Sequence, residues 1–199
     1  MTPRLVLATA NAAKAQEFRQ LLGDLPYEIW TAGDFPGLVL PPEGLDSYAV
    51  NARAKARVTA AAVGAVALGD DSGLEVDALN GGPGVASARY GGAGLTDTER
   101  VERLLAAMAG APARAARFRC CLALVAPWGV EATVEGVVAG LVTEAPRGAG
   151  GFGYDPIFLV PALDRTLAEL RPDEKNRVSH RARAAAAARP ILERWAQAV

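Results

Sequence analysis

Apolar residues occur in short continuous runs and in runs with helical spacing, and the two alternate along the first half of the chain. The run Arg4–Ala8 predicts a buried strand, and the spacing of apolar residues over Ala12–Leu22 predicts a helix. Ser47 is a candidate N-cap for a long alanine-rich helix that ends near Val63, and Ala65–Leu68 predicts a second buried strand. Strand, short loop and helix in succession are typical of an α/β fold.

The second half of the chain predicts a helix, an antiparallel pair of strands and a closing helix. Thr96 and Glu99 match a capping box for a helix that ends near Met108. The strands of the pair are Phe118–Val125 and Thr133–Val142, separated by Pro127-Trp128-Gly129. A glycine-rich loop at Gly148–Pro156 then leads to a short strand at Ile157–Val160 and to a helix from Ser179 to Ala198, broken or kinked near Pro190.

The composition indicates a globular protein of one domain spanning residues 1–199, with one sizeable core. Of the 199 residues 51% are hydrophobic and 22% are charged, and the formal net charge is -1. A broad nucleic-acid-binding surface requires many clustered cations, so we expect no nucleic-acid partner. No segment reaches transmembrane length and the N-terminal apolar stretch is shorter than that of a signal peptide, so we expect no membrane partner and no export.

The cysteines and the histidine restrict the redox and metal chemistry. Cys120 and Cys121 are adjacent within an apolar run, which disfavours a disulfide between them and favours a reducing, cytoplasmic location. Because His180 is the only histidine, the chain lacks the usual ligands of a zinc site. We therefore expect any catalytic metal to be a hard ion bound by oxygen.

Polar residues lie between the first predicted strand and the first predicted helix. Thr9, Asn11 and Lys14 occupy the position where the free N–H groups and the dipole of a helix attract phosphate. Lys14 would add a positive charge on the same side. The alternative is that Asn11 only caps the helix and that Lys14 is solvated.

Two adjacent carboxylates follow the second predicted strand, where we expect the strand to give way to the loop Gly69–Gly73. Successive residues of an extended chain point in opposite directions, so one of Asp70 and Asp71 would bind a metal and the other would bond to the loop backbone. The alternative is an Asx-turn or a cap. Glu43 and Glu75 are both candidates to complete an oxygen-rich site for Mg²⁺.

Two further segments are candidates for nucleoside binding. The loop Gly148–Gly153 formally matches G-x-G-x-x-G, but no helix follows it, so we predict a flexible loop that brings Phe152 and Tyr154 to a planar ligand. The alternative is a connection with both aromatic rings in the core. The segment Lys175–Arg181 concentrates positive charge and hydrogen-bond donors; its alternative is a solvated helix start. Together, the segments predict a Mg²⁺-dependent enzyme that acts on a nucleoside triphosphate.

Five ordered motifs resemble the inosine triphosphate pyrophosphatase family, the Ham1-like dITP/XTP pyrophosphatases. They are Thr9-Ala10-Asn11-Ala12-Ala13-Lys14, Asp70-Asp71-Ser72-Gly73-Leu74-Glu75-Val76, Pro83-Gly84-Val85-Ala86-Ser87-Ala88-Arg89-Tyr90, Gly150-Gly151-Phe152-Gly153-Tyr154-Asp155-Pro156 and Ser179-His180-Arg181. The resemblance implies an α/β fold with a long central mixed β-sheet, flanking helices and two lobes around a substrate cleft. It also implies a homodimer that hydrolyses a non-standard purine triphosphate to the monophosphate and pyrophosphate.

The resemblance also implies roles for individual residues. Asp71 resembles the catalytic proton acceptor and metal ligand, and Glu43 resembles the second metal ligand. The residues that resemble the substrate-binding set are Thr9, Ala10, Asn11, Ala12, Ala13, Lys14, Ser72, Phe152, Gly153, Tyr154, Asp155, Lys175, His180 and Arg181. The sequence departs from the family pattern at Ala10 and Ala13, where members often carry glycine, and at Val50, where members usually carry glutamate.

These residues suggest a hypothesis for the mechanism. Mg²⁺ held by Asp71 and Glu43 bridges phosphate oxygens, and Asp71 or a carboxylate near it orients the water that attacks the α-phosphorus. Arg181 or a neighbouring donor meets the 6-oxo group of the base while Phe152 stacks on the ring. Two alternatives are a Maf-like nucleotide pyrophosphatase with another base preference and a nucleotide sensor that binds without turnover.

Overall fold

A computed structural model of the chain describes residues 2–197, and these form one mixed seven-stranded sheet with flanking helices. The strand order in the sheet is β2-β1-β3-β4-β5-β6-β7. The strands are β1 (Arg4–Ala8), β2 (Glu28–Thr31), β3 (Val66–Val76), β4 (Ala115–Val125), β5 (Glu131–Val142), β6 (Phe158–Val160) and β7 (Arg165–Thr166). The helices are α1 (Ala12–Leu22), α2 (Tyr48–Val63), α3 (Asp97–Ala107), α4 (Pro172–Val178) and α5 (His180–Ala196).

The helices α1, α2 and α3 begin at residues whose side chains accept backbone N–H groups of the first turn. The Asn11 side chain accepts the N–H of Lys14 at 3.0 Å, and the Ser47 side chain accepts the N–H of Val50 at 3.2 Å. Thr96 forms the predicted capping box of α3. Such caps satisfy N–H groups that have no partner inside the helix, which is why these residue types mark the helix starts in the sequence.

The strands β2, β1 and β3 form a parallel group. The chain passes from β1 through α1 to β2 on one side of β1, and returns through α2 to β3 on the other side. The carboxyl end of β1, which lies opposite the middle of β3, is therefore a topological switch point, the usual location of a ligand in an open α/β sheet. In this register Ala8 lies opposite Gly69, so the residues that follow β1 lie next to Asp70.

The remaining strands are antiparallel where their pairing is described. The Ala126 N–H donates to Val130 O near one end of the β4–β5 pair, and the Val142 N–H donates to Arg114 O near the other end. Successive partners therefore run in opposite directions, which confirms the predicted antiparallel pair. The strand β6 is antiparallel to β5 and to β7.

The chain divides into two compact units, each with its own hydrophobic core. The first comprises the residues up to Asp71, Cys120–Gly136 and the residues from Arg181 onward. Its core includes Phe18, Leu22 and Trp195. The second comprises Ser72–Arg119 and Val137–His180, and its core includes Leu104, Met108, Phe118 and Phe158. Cys120 and Cys121 are buried and form no disulfide. Among residues 2–197, no helix is long and apolar enough to cross a membrane.

Three sequence predictions require correction or completion. The strand predicted to end at Leu68 continues to Val76, so Asp70 and Asp71 lie within a strand and not in a loop. The helix α5 runs through Pro190 without a break, and the Ala198 end predicted for it lies outside the described residues. The elements β2, β7 and α4 were not predicted.

Candidate active site

The strand register brings the loop after β1 to the carboxylates of β3. Lys14 lies in the first turn of α1, and its Nζ donates to Oδ2 of Asp70 at 2.7 Å. Asp70 is almost fully buried, whereas the Lys14 side chain is 15% exposed. The alternative in which Lys14 is simply solvated is therefore wrong, as is the expectation that the second carboxylate of the pair bonds to a loop backbone.

Two further cations neutralise Asp70. Lys55 and Arg181 lie near its carboxylate, and Arg181 also pairs with Glu17 of α1 at 2.9 Å. Burial works to raise the pKa of Asp70, but Lys14, Lys55 and Arg181 outweigh it, so the pKa lies below its usual range. Asp70 is consequently ionised at neutral pH although it is buried. Its Oδ1 is buried without a hydrogen-bond partner in residues 2–197.

One face of α2 carries two buried polar side chains at a spacing of one helical turn. Asn51 and Lys55 are four residues apart, so both face β3. The Asn51 Nδ2 donates to Oδ2 of Asp71 at 2.7 Å, and Lys55 Nζ donates to the backbone oxygen of Asp70 and to Glu43. A side chain at Gly69 would collide with the α2 backbone at Ala52, so glycine there permits this close approach.

Asn51 also holds the segment that carries Glu43. Its Oδ1 accepts the N–H of Gly44 at 2.8 Å, and its Nδ2 donates to Gly44 O at 3.1 Å. One side chain thus connects the Glu43–Gly44 segment to Asp71. Glu43 also contributes to the electrostatics at Asp71, so the structure brings together the two residues that resemble metal ligands.

The environment of Asp71 raises the pKa of its carboxyl group. Burial raises this pKa to about 6; the hydrogen bond from Asn51 opposes the shift, and the negative charge of Glu43 adds to it. A carboxylate with a pKa near 6 is mostly ionised at neutral pH and can still accept a proton, as a general base must.

Glu75 is not part of this group. Its carboxylate accepts hydrogen bonds from Arg117 Nε at 2.5 Å and from Arg119 Nε at 3.0 Å. Glu75 belongs to the second unit. Of the two candidates, Glu43 is the one that lies near Asp71, and its role as a metal ligand stays a prediction.

The residues of the first unit fit a hard divalent cation better than a softer one. No cluster of three or more histidine, cysteine, aspartate or glutamate side chains forms a ligand set within residues 2–197. Mg²⁺ keeps several waters and needs only one or two protein carboxylates when phosphates supply the rest. Asp71 and Glu43 would provide two such carboxylates.

The residues between β1 and α1 have ordinary backbone conformations. The Thr9 hydroxyl accepts the N–H of Asn11 at 3.1 Å, and Asn11 caps α1. Within the described residues the only non-glycine residues with positive φ are Asn80 and Asp164. Ala10 and Ala13 thus need no left-handed backbone, and their replacement of glycine introduces no strain. Ala10, Ala12 and Ala13 lie in the same loop and first helical turn.

The second unit holds the other predicted residues. Asp155 Oδ2 accepts Lys175 Nζ at 2.5 Å and the N–H of Phe152 at 2.9 Å, and Lys175 lies 5.0 Å from the centre of the Phe152 ring. Tyr154 is buried in the core, and its hydroxyl donates to Ser87 O at 3.0 Å. The prediction that the loop brings both aromatic rings to a ligand is therefore wrong for Tyr154 and stays open for half-buried Phe152.

The remaining predicted residues also lie in the second unit. His180 is buried and stacks on Phe118, with ring centroids 4.6 Å apart and an angle of 12° between the planes. Ser72 follows Asp71 on β3 and is half-buried. Gly153 lies in the loop between Phe152 and Tyr154 with a φ of +61°.

Sequence reasoning missed three residues that organise the first unit. Asn51 and Lys55 are polar residues spaced i, i+4 in an alanine-rich helix, a signal that marks a buried polar face. Glu17 lies three residues after Lys14, so it faces the same side of α1, and it pairs with Arg181. In this group the cations Lys14, Lys55 and Arg181 lie among the carboxylates Glu17, Glu43, Asp70 and Asp71.

The fold and this group of residues define a mixed α/β protein with a lysine–carboxylate site at the switch point of its parallel strands. The sequence model of the Ham1 family matches residues 5–191, and the chain belongs to this family. A dITP/XTP pyrophosphatase of Gloeobacter violaceus is 52% identical over 180 residues, which are 90% of this chain and 89% of the relative.

Two further relatives support the assignment. A dITP/XTP pyrophosphatase of Desulforamulus reducens is 45% identical over 193 residues, which are 96% of each chain. The solved structure of a HAM1 protein from Coxiella burnetii is similar to this chain with a TM-score of 0.87 and 40% identity, over 96% of this chain and 99% of that one. These matches confirm the predicted family, and with the observed sheet they confirm the predicted α/β fold with a mixed β-sheet and flanking helices.

Proposed function

We propose that this protein is a nucleoside triphosphate pyrophosphohydrolase that acts on dITP, ITP and XTP and removes them from the nucleotide pool. The observation that carries the proposal is the grouping of Lys14, Asp70 and Asp71 at the switch point. This group offers a cation for phosphate and carboxylates for a metal and a proton. The relatives named dITP/XTP pyrophosphatase support the choice of non-canonical purines.

The triphosphate would bind at the start of α1. The free N–H groups of the first helical turn and the Lys14 ammonium group attract anionic oxygens at this position. Lys55 is more deeply buried, where it bonds to Glu43 and to the Asp70 backbone. Burial works to lower the pKa of Lys55, but the nearby carboxylates outweigh it and raise the pKa, so the side chain stays charged. Its charge would also stabilise the pyrophosphate leaving group.

Asp71 would accept the proton of the attacking water. The water oxygen forms a bond to the α-phosphorus, the bond from that phosphorus to the bridging oxygen breaks, and the products are the nucleoside monophosphate and pyrophosphate. Asp71 and Glu43 would hold Mg²⁺, which neutralises negative charge on the phosphates when it is bound. Asn51 keeps Asp71 in place through its 2.7 Å hydrogen bond.

The glycine-rich loop and the segment Lys175–Arg181 supply the candidates for recognition of the base. Phe152 offers an aromatic face for stacking, and Lys175 and His180 offer hydrogen-bond donors. Arg181, although grouped with the first unit, is a further candidate donor to the 6-oxo group. An adenine amino group would leave such a buried donor unpaired, which can reject the wrong base strongly.

We also propose a cytoplasmic homodimer, as the resemblance to the family implies. The buried free thiols of Cys120 and Cys121 suit a reducing compartment. Light scattering on the purified protein measures the mass in solution. A mass near twice 20.6 kDa would support the dimer, and a mass near 20.6 kDa would contradict it.

The decisive experiment is product analysis with purified protein and Mg²⁺. We expect pyrophosphate from dITP and XTP, little from dGTP or ATP, and none from dTTP or UTP. Orthophosphate as the product would overturn the reaction, and preferred turnover of dTTP or UTP would favour a Maf-like specificity. Saturable binding without turnover would indicate a nucleotide sensor.

The variant Asp71→Asn tests the assigned proton acceptor in the same assay. We expect kcat to fall by roughly 10²- to 10⁴-fold, the usual contribution of a general base. Asp77→Asn, at an exposed carboxylate that contacts Arg117, removes one charge elsewhere and should leave kcat within about twofold. Near-normal turnover by Asp71→Asn would remove this residue from the chemistry.

A further inference from the structure

The loop that carries Phe152 contains glycines that give its backbone unusual freedom. Gly148, Gly151 and Gly153 have φ values of +81°, +71° and +61°, which other residues rarely adopt. Such a segment populates many conformations when nothing restrains it. The position of the Phe152 ring therefore depends on contacts that the loop makes with other elements.

Two carboxylates hold the peptide groups on either side of Phe152. Asp155 Oδ2 accepts the N–H of Phe152 at 2.9 Å, and Asp97 Oδ2 accepts the N–H of Gly153 at 2.7 Å. The first bond orients the peptide plane before Phe152, and the second orients the plane after it. Because the two planes set φ and ψ of Phe152, they also set the direction in which its ring leaves the backbone.

Asp155 and Asp97 differ in burial and in the residues that hold them in place. Asp155 is buried and is held in turn by Lys175 at 2.5 Å, within the set of residues already assigned to the base. Asp97 is exposed and lies outside that set, as the first residue of α3. Its bond joins the loop to a helix that belongs to none of the motifs that resemble the family.

The helix α3 provides Asp97 with a rigid position. The capping box of Thr96 and Glu99 begins the helix, and Val101 and Leu104 pack into the core of the second unit. Arg100 donates to the backbone oxygens of Tyr90 and Leu95, which holds the segment that leads into the helix. An acceptor on this support can restrain the glycine-rich loop.

We propose that Asp97 is a positioning residue, which orients Phe152 for nucleobase binding by holding the Gly153 N–H. This inference rests on the proposed function, because it takes Phe152 as the stacking partner of the base. Asp97 itself does not touch the substrate. Its loss should therefore weaken the binding of the base and leave the chemistry at the phosphates unaffected.

The test compares Asp97→Ala with Asp97→Asn, since the asparagine oxygen can still accept the Gly153 N–H. With ITP and Mg²⁺, we expect Asp97→Ala to raise KM about three- to tenfold with kcat within about twofold, and Asp97→Asn to recover most of the affinity. Glu102→Ala is the matched control, because it removes an exposed negative charge from the same helix. It should leave both constants unchanged.

Product inhibition locates the effect at the base. Inosine monophosphate carries the base and pyrophosphate does not, so Asp97→Ala should raise the inhibition constant of the first alone. Hydrogen exchange adds a measurement that needs no activity: the Gly153 amide should lose protection in Asp97→Ala and keep it in Asp97→Asn.

The outcomes separate this proposal from the proposed function. If the wild-type protein releases no pyrophosphate from any purine triphosphate, the proposed function fails and the nucleotide part of the inference fails with it. If the wild-type protein is active, an unchanged KM in Asp97→Ala, or an equal rise in the inhibition constants of both products, overturns the positioning role alone.

Discussion

Lys14 and Asp70 are 56 residues apart in the sequence, and their side chains form an ion pair of 2.7 Å. The pair exists because β1 and β3 are neighbouring parallel strands in a register that places Ala8 opposite Gly69. Asp70 has further cations near it, in Lys55 and Arg181, whereas the ammonium group of Lys14 remains partly exposed.

We predict that Asp70→Asn destabilises the protein more than Lys14→Met does. Loss of the Asp70 charge removes the carboxylate that Lys14, Lys55 and Arg181 share, and this costs about 3–5 kcal/mol of unfolding free energy because Lys55 and Arg181 are buried. Lys14→Met should cost less, because Asp70 keeps Lys55 and Arg181 nearby. Urea unfolding of both variants and of the double variant measures these costs. Equal losses in the two single variants would contradict this account.

Local sequence signals predicted the elements whose ends have caps, and they failed where tertiary pairing decides the structure. Asn11 and the apolar spacing after it predict the observed bounds of α1. The segment Gly69–Gly73 is composed of residues typical of turns, so it predicts a loop. It forms part of β3 because that strand lies between β1 and β4 in the sheet, and such pairing outweighs intrinsic propensity.

The sequence indicated which residues belong to the candidate site better than it indicated the contacts they make. Phosphate and metal chemistry pointed to Lys14 and Asp71. The i, i+4 spacing of Asn51 and Lys55 marks a polar face of α2, but it does not indicate that Lys55 bonds to Glu43. Tyr154 was ambiguous for the same reason: an aromatic residue in a glycine-rich loop suits either a ligand or the core. Its buried ring and its hydroxyl bond to Ser87 O assign it to the core.

We predict that Asn51→Ala lowers both the apparent affinity for Mg²⁺ and the stability of the protein. The variant removes the three hydrogen bonds by which Asn51 connects Asp71 to both polar groups of Gly44. The loss should cost about 2–3 kcal/mol of unfolding free energy, since unpaired groups remain. With Gly44, the neighbour of Glu43, no longer held by Asn51, half-maximal activity should require a higher Mg²⁺ concentration.

A magnesium titration of initial rates and a urea titration check the two parts separately. Arg53→Ala, on the same helix but at a side chain that is 41% exposed, is the control and should change neither by much. An Asn51→Ala variant that loses stability yet keeps its magnesium dependence would show that Asn51 does not position the metal ligands.

We predict that Glu75→Gln lowers stability at neutral pH and leaves turnover intact. Burial works to raise the pKa of Glu75, but Arg117 and Arg119 outweigh it, so the pKa lies below its usual range. The ionised form therefore stabilises the protein above the unfolded pKa of about 4.3, and this contribution is lost as the pH falls through the folded pKa. Because the side chains of Arg117 and Arg119 are partly exposed, solvent screens their ion pairs with Glu75. We therefore expect the variant to lose about 1–2 kcal/mol of unfolding free energy.

Unfolding measured from pH 3 to pH 7 should show the wild type and Glu75→Gln converging at the acidic end. Turnover of dITP by the variant should stay within about twofold of the wild type, because Glu75 bonds to arginines and not to the Asp71 group. A large loss of kcat would restore Glu75 as a candidate metal ligand.

We predict that Arg181→Ala changes base selection as well as stability. Arg181 pairs with Glu17 at 2.9 Å, which limits the orientation of its guanidinium, and it lies near Asp70. If this orientation serves the 6-oxo group, the variant should lose activity on ITP and gain activity on ATP relative to ITP, since an amino group would no longer face a buried donor. Glu17→Gln keeps the arginine and relaxes its orientation, so it should shift the ratio in the same direction by less.

The ratios of kcat/KM for ITP and ATP in the wild type and in both variants test this prediction, with urea unfolding to account for lost stability. Unchanged ratios in both variants would assign Arg181 to the charge balance around Asp70 and leave base selection to the second unit.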